Sequence, residues 1–146
     1  MHKTAIVVLA LASCTPDYAH DFAGAWILSS GQYRETCQGR VHDTEVPSGY
    51  LQLRVEPTGP QAVRANLRLN DGGSSVLECA LMGAASSDRI DLEARVCRDP
   101  NPYYFTGGTL SRADKGTLLL EWTATTPNLT GTCSQSFRGL LLPNLP

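Results

Sequence analysis

The sequence predicts an all-β domain: a single antiparallel meander of about eight or nine strands that closes into a small barrel held by two disulfides. Three observations predict it. From Phe22 onward, apolar side chains recur with a period of two, the pattern of strands with one buried face. Short turn signals separate these runs, and no stretch sustains a helical period. Beyond position 14 the chain carries an even set of cysteines, Cys37, Cys79, Cys97 and Cys133.

The strands are expected at 23–29, 33–38, 50–56, 62–69, 74–82, 89–97, 104–111, 117–125 and 132–142. In the third, Leu51, Leu53 and Val55 alternate with Gln52, Arg54 and Glu56. In the fourth, Val63, Ala65, Leu67 and Leu69 alternate with Arg64, Asn66, Arg68 and Asn70. In the sixth, the same rule puts Ile90, Leu92, Ala94 and Val96 on the buried face. Ser48-Gly49, Pro57 to Pro60, Asp71-Gly72-Gly73, Ser86-Ser87-Asp88 and Lys115-Gly116 supply the turns. Short connections favour pairing between sequence neighbours. An open meander of this length exposes its edges, and closure removes them. A two-sheet β-sandwich is the alternative.

The four cysteines are separated by 42, 18 and 36 positions, without the short Cys-x-x-Cys or His spacings of a zinc site. Disulfides are therefore expected, with no metal and no other cofactor. Cys79 and Cys97 are nearly symmetric about a turn at Ser87-Asp88, so they pair across a hairpin. Their parity is imperfect: Cys97 falls on the polar face of its strand, and a bulge or another pairing must correct it. Cys37 and Cys133 then join an early strand to the last, where a barrel closes. The two other connectivities stay open.

The first 13 residues have the order of an export signal. Lys3 precedes an apolar run from Ala5 to Ala12, too short to span a bilayer. The run ends in Leu11-Ala12-Ser13-Cys14, which resembles the lipobox of bacterial lipoproteins at all four positions. The resemblance implies cleavage before Cys14 and lipidation of its sulfur. It divides the chain into a signal peptide (1–13), a lipidated tether (14–21) and the β domain (22–146). Several acyl chains, such as palmitate, anchor firmly. Thr15 follows the cysteine where an Asp retains enteric lipoproteins in the inner membrane, so the resemblance implies the outer membrane. The chain's partner is then a membrane, reached through its N-terminal lipid. The seven residues 15–21 reach at most about 25 Å.

Gly24-Ala25-Trp26 opens the first strand. Gly-x-Trp at this place resembles lipocalins, avidins and the small barrel inhibitors of bacterial metalloproteases. The resemblance implies that Trp26 plugs one barrel end, that Gly24 lets the chain pass beneath it, and that Arg138, in Phe137-Arg138-Gly139, packs over the indole.

Composition and motifs exclude several function classes. The net charge is −2, and without Lys3 the remaining 11 basic side chains face 14 acidic ones. The arginines are scattered among acids, which does not make a nucleic-acid surface. His42-Asp43 is the only neighbouring His-Asp pair beyond the signal and tether, but adjacent residues on an extended chain point opposite ways. No nucleophile elbow or phosphate-binding glycine loop accompanies it, and Glu78 and Glu121 read as solvent-facing strand residues, so an enzyme is not expected. Asn128-Leu129-Thr130 reads as a turn. The unusual stretch is Asp99-Pro100-Asn101-Pro102-Tyr103-Tyr104-Phe105. Two prolines stiffen a connection before three aromatics, so Tyr103, Tyr104 and Phe105 are candidates for a binding rim. Three functions stand as expectations: a barrel that binds a small ligand or an envelope partner, an inhibitor of a protease or lysozyme acting through 99–105, or a structural envelope lipoprotein.

Overall fold

The computed structural model describes residues 14–71, 74–99, 101–114 and 116–145. A short 3-10 helix, His20–Phe22, leads into the strands β1 (Gly24–Cys37), β2 (Arg40–Val46), β3 (Leu51–Gly59), β4 (Ala62–Asp71) and β5 (Ser74–Ala85). They continue as β6 (Arg89–Leu92), β7 (Arg95–Asp99), β8 (Asn101–Arg112), β9 (Leu118–Asn128) and β10 (Gly131–Pro143). All pairings are antiparallel. β1, β3, β4, β5, β6, β8, β9 and β10 follow one another around a ring, and β10 pairs back onto β1 from Trp26–Pro143 to Thr36–Ser134. The ring is a closed barrel rather than a sandwich. β2 and β7 lie off it, β2 on β1 and β7 on β8.

Three departures from the expected strands have local causes. The runs 23–29 and 33–38 are one strand, because the chain continues through Ser29-Ser30-Gly31 as a bulge. The register slips between Leu28 and Ser30. The slip moves the inward positions from even (Leu28) to odd (Tyr33, Glu35, Cys37). Strand β2 shows no alternation to read, since Arg40 to Glu45 are all exposed. The run 89–97 is broken at Glu93-Ala94, where the Glu93 N–H donates to the Met82 carbonyl, 2.9 Å. The break reverses the facing of the residues after it. Ala94 and Val96 are exposed instead of buried, and Cys97 turns inward. That supplies the parity correction the hairpin disulfide needs.

Both disulfides form. Cys37–Cys133 ties β1 to β10 with Cα atoms 4.5 Å apart. Cys79–Cys97 ties β5 to β7 with Cα atoms 5.4 Å apart. Between them the interior is filled by inward aliphatics such as Leu53, Val63, Leu81, Leu110, Leu120 and Leu141, and by Phe105, Trp122 and Phe137. The Trp122 and Phe137 rings stack with centroids 4.0 Å apart. Glycines make room for them. A Cβ on Gly139 lies 2.6 Å from the Phe137 ring, and one on Gly108 lies 2.5 Å from the Glu121 carbonyl oxygen. A narrow barrel bends sharply at such positions.

The two barrel ends differ. At one end the chain enters and Phe22, fully buried, closes the bore. The Arg112 guanidinium lies 4.9 Å over its ring, and Arg112 also reaches Asp21, 3.3 Å. The Ala19 N–H donates to the Pro60 carbonyl in the β3–β4 turn, 3.0 Å. Docking therefore begins at half-buried Tyr18 and buried Ala19, not after residue 21. Residues 14–17, which are exposed, precede this packed segment and span about 14 Å when extended. The Cys37–Cys133 bridge marks the other end, which is open.

Candidate functional site

At the open end the interior continues into a cavity of about 530 Å³. Stacked Trp122 and Phe137 form its floor, and Tyr33 (β1), Tyr50, Leu69 (β4), Leu77 (β5) and Tyr103 (β8) its walls. The β2 segment Thr44 to Val46, with Pro47, overhangs it. The local causes are visible in the chain. Past the bulge, β1 stays paired with β10 but exchanges β3 for β2 on its other edge, which brings Tyr33 inward with Thr44 beside it. Tyr50 sits in the β2–β3 turn, where its carbonyl accepts from the Asn70 N–H, 2.7 Å. The volume falls within the range of sites for small organic molecules, and mostly apolar walls with a few fixed polar groups are their usual character.

The polar groups are few and specific. The Trp122 indole N–H donates to the Tyr103 hydroxyl, 3.0 Å. Gln135 Nε2 donates to Glu35 Oε2 and to Thr126 Oγ1, each 2.9 Å, which links Glu35 to the cavity wall at Thr126. Gln135 is 7% exposed, and its Oε1 is buried without a hydrogen-bond partner. Burial first, then the nearby Tyr103, Glu35 and Tyr50, hold the Tyr33 hydroxyl well above its ordinary pKa. Burial raises Tyr103 as well, against the Trp122 hydrogen bond, which lowers it. Both phenols are thus neutral over the physiological range.

The expected site residues fall in different places. Of the proposed rim, Tyr103 lines the cavity, Tyr104 is exposed on the outer face, and Phe105 is buried core. Residues 99 and 101–105 are part of the β7–β8 hairpin, paired from Asp99–Asn101 to Arg95–Phe105, and Pro100 lies outside the described residues. Gly24 has φ 137°, a conformation that needs glycine, and its pairing partner is Val55. Trp26 braces the closed end: its indole N–H donates to the Phe22 carbonyl, 3.1 Å, and Phe22 is the plug. Arg138 is not over Trp26. It pairs across from Gln32, points outward and meets Glu121 at 3.3 Å, while Trp26 sits opposite Pro143. The guanidinium on a ring at this end is Arg112 over Phe22.

Other candidates carry no site chemistry. Asp43 is held by Arg34, at 2.6 and 3.0 Å, which keeps its carboxyl below the usual pKa and leaves His42 exposed on β2 opposite Glu35. Glu78 lies 3.3 Å from Arg68. Glu35, Cys37 and Cys133 place three potential metal-ligand atoms within 4.8 Å, but the two sulfurs are bonded to each other and offer no thiolate. Hollows of about 860 and 980 Å³ on the outer wall are lined by strand residues whose charges, Arg34 with Asp43 and Arg138 with Glu121, are already paired. Cys14 is exposed and free, while Leu11, Ala12 and Ser13 lie outside the described residues.

No family model matches the chain, and no curated protein matches it. Solved structures do. A redesigned beta barrel aligns with TM-score 0.55 at 13% identity, over 90% of this chain and 98% of that one. A structure of EF1p2_mFAP2b bound to DFHBI aligns with TM-score 0.50 at 15% identity, over 89% of this chain and all of that one, 100%. A de novo designed fluorescence-activating beta barrel aligns with TM-score 0.50 at 14% identity, over 89% and 100%. At these identities the likeness shows the fold alone: a small closed β-barrel.

Proposed function

We propose that this protein is a membrane-anchored binding module rather than an enzyme, and that it takes a small, largely apolar ligand into the open end of its barrel. One observation carries the reading: a cavity of about 530 Å³ floored by stacked aromatics and walled by Tyr33, Tyr50 and Tyr103, at the end opposite the Phe22 plug. Burying apolar ligand surface there contributes roughly 25 cal/mol per Å² before the costs of association. One of the similar barrels is bound to DFHBI, which agrees with this use of the fold. The test is titration with N-phenyl-1-naphthylamine, a neutral dye that brightens in apolar surroundings. Saturable brightening is expected, and Val46→Trp, which fills the overhang, weakens it about tenfold with the fold intact by circular dichroism. A dye that stays dark overturns the reading.

The anchor half of the proposal rests on the Leu-Ala-Ser-Cys resemblance. Two structural features agree with it. Cys14 is exposed and unbonded at the start of a short lead into the closed end. Leu140, Leu142 and Leu145 stand exposed on the wall near that end, where Leu142 pairs with Ile27. A lipid on Cys14 then sets the plugged end against the bilayer and aims the mouth away from it, in the periplasm or at the cell surface. By the Thr15 rule the membrane is the outer one. Cys14→Ala is expected to appear in the soluble periplasmic fraction. Its recovery with the membranes contradicts the anchor.

A further inference from the structure

We infer that the ligand of this mouth is a cation: an organic ammonium on an aromatic or alkyl body, held by aromatic faces and by the carboxylates of Glu45 and Glu35. The inference rests on the binding reading above and narrows it. The rings of Tyr33, Tyr50, Tyr103, Trp122 and Phe137 converge on one space. Ring faces carry negative quadrupole density, and a desolvated cluster of them attracts a cation. Glu45 of β2, paired with outward Gln32, borders the same space from its rim. Glu35 stands behind Thr126 and is tied to it through the Gln135 amide, at 2.9 Å on each side. No Lys, Arg or His is among the lining residues. Of the nearby basic groups, Arg34 is spent on Asp43 on the outer face, and His42 shares Glu35's face of the β1–β2 pair but does not line the cavity.

The unpaired group has the matching polarity. Gln135 uses its amide N–H atoms on Glu35 and Thr126 and leaves its carbonyl oxygen buried with nothing to accept. A buried acceptor without a donor is costly, and an N–H or a positive centre nearby relieves it. Ring faces, two carboxylates and one orphan carbonyl are all complementary to positive charge. An anionic ligand meets no countercharge among the lining residues.

Two probes of one shape and different charge test this: phenyltrimethylammonium and its neutral isostere tert-butylbenzene. Each is titrated into the purified protein, and binding is read from the Trp122 indole N–H resonance. The ammonium is expected to bind about tenfold more tightly than the hydrocarbon. In the Glu35→Gln/Glu45→Gln variant the two affinities are expected to draw together. Equal affinities in the unmodified protein overturn the cation inference and leave the binding reading standing, and this arm needs no mutant to fold. A preference that survives the double substitution overturns the carboxylates' part. A Trp122 signal that neither probe moves removes both the inference and the reading beneath it.

Discussion

Phe22→Ala is expected to lower stability by about 3–5 kcal/mol, and Trp26→Ala by less. The ring of Phe22 is fully buried, closes the bore and lies under the Arg112 guanidinium, so its loss opens a cavity and leaves Arg112 without a face to cover. Trp26 is only half-buried, and its one polar contact is to the Phe22 carbonyl, a backbone group that the alanine variant of Phe22 retains. Urea unfolding followed by circular dichroism ranks the two. If the tryptophan variant proves the weaker protein, Trp26 and not Phe22 is the plug.

Removal of the seam disulfide is the second large effect. Cys37 and Cys133 are 96 positions apart, against 18 for Cys79 and Cys97. A cross-link restricts the unfolded chain more when it closes a longer loop: about 4–5 kcal/mol for the first and about 3 kcal/mol for the second by chain entropy. The longer link also sits where β10 meets β1, the pairing that turns the meander into a ring. Cys37→Ala/Cys133→Ala is therefore expected to have the lower denaturation midpoint of the two double variants. The reverse order contradicts the view that the seam is the point the bridge secures.

The fold was largely legible because its main signal is local. Leu51, Leu53, Val55 and Val63, Ala65, Leu67 alternate in sequence and face inward in the barrel. The disulfide pairing was legible too, since both bridges follow from hairpin symmetry and ring closure. Phase changes were not. The bulge at Ser29-Ser30-Gly31 has turn-like composition, and the break at Glu93-Ala94 has no signal beyond the facing of Cys97. Strand β2 escaped because it is held by backbone pairing to β1 and the Arg34–Asp43 ion pair, not by buried side chains.

The site was mostly illegible for a related reason. Its aromatics come from separate strands and one turn: Trp122 and Phe137 pair across the β9–β10 hairpin, but only closure of the ring brings Tyr33 and Tyr50 to them. Tyr103 stood out because two prolines and two more aromatics surround it. The usable signal for the rest is an aromatic at an inward strand position, as Trp122 and Phe137 are in their alternating runs. The Gly-x-Trp resemblance was informative about the closed end, where Gly24 and Trp26 do lie. It misplaced the arginine, because Arg138 is held by Glu121 on the outer wall and β8 supplies Arg112 instead.

The two tryptophans mark opposite ends of the barrel, Trp122 under the mouth and Trp26 against the plug. Both indole N–H resonances can be followed together while N-phenyl-1-naphthylamine is added. The Trp122 resonance is expected to shift and saturate while that of Trp26 stays still. Movement of Trp26 alone, or of neither, contradicts a binding site at the open end.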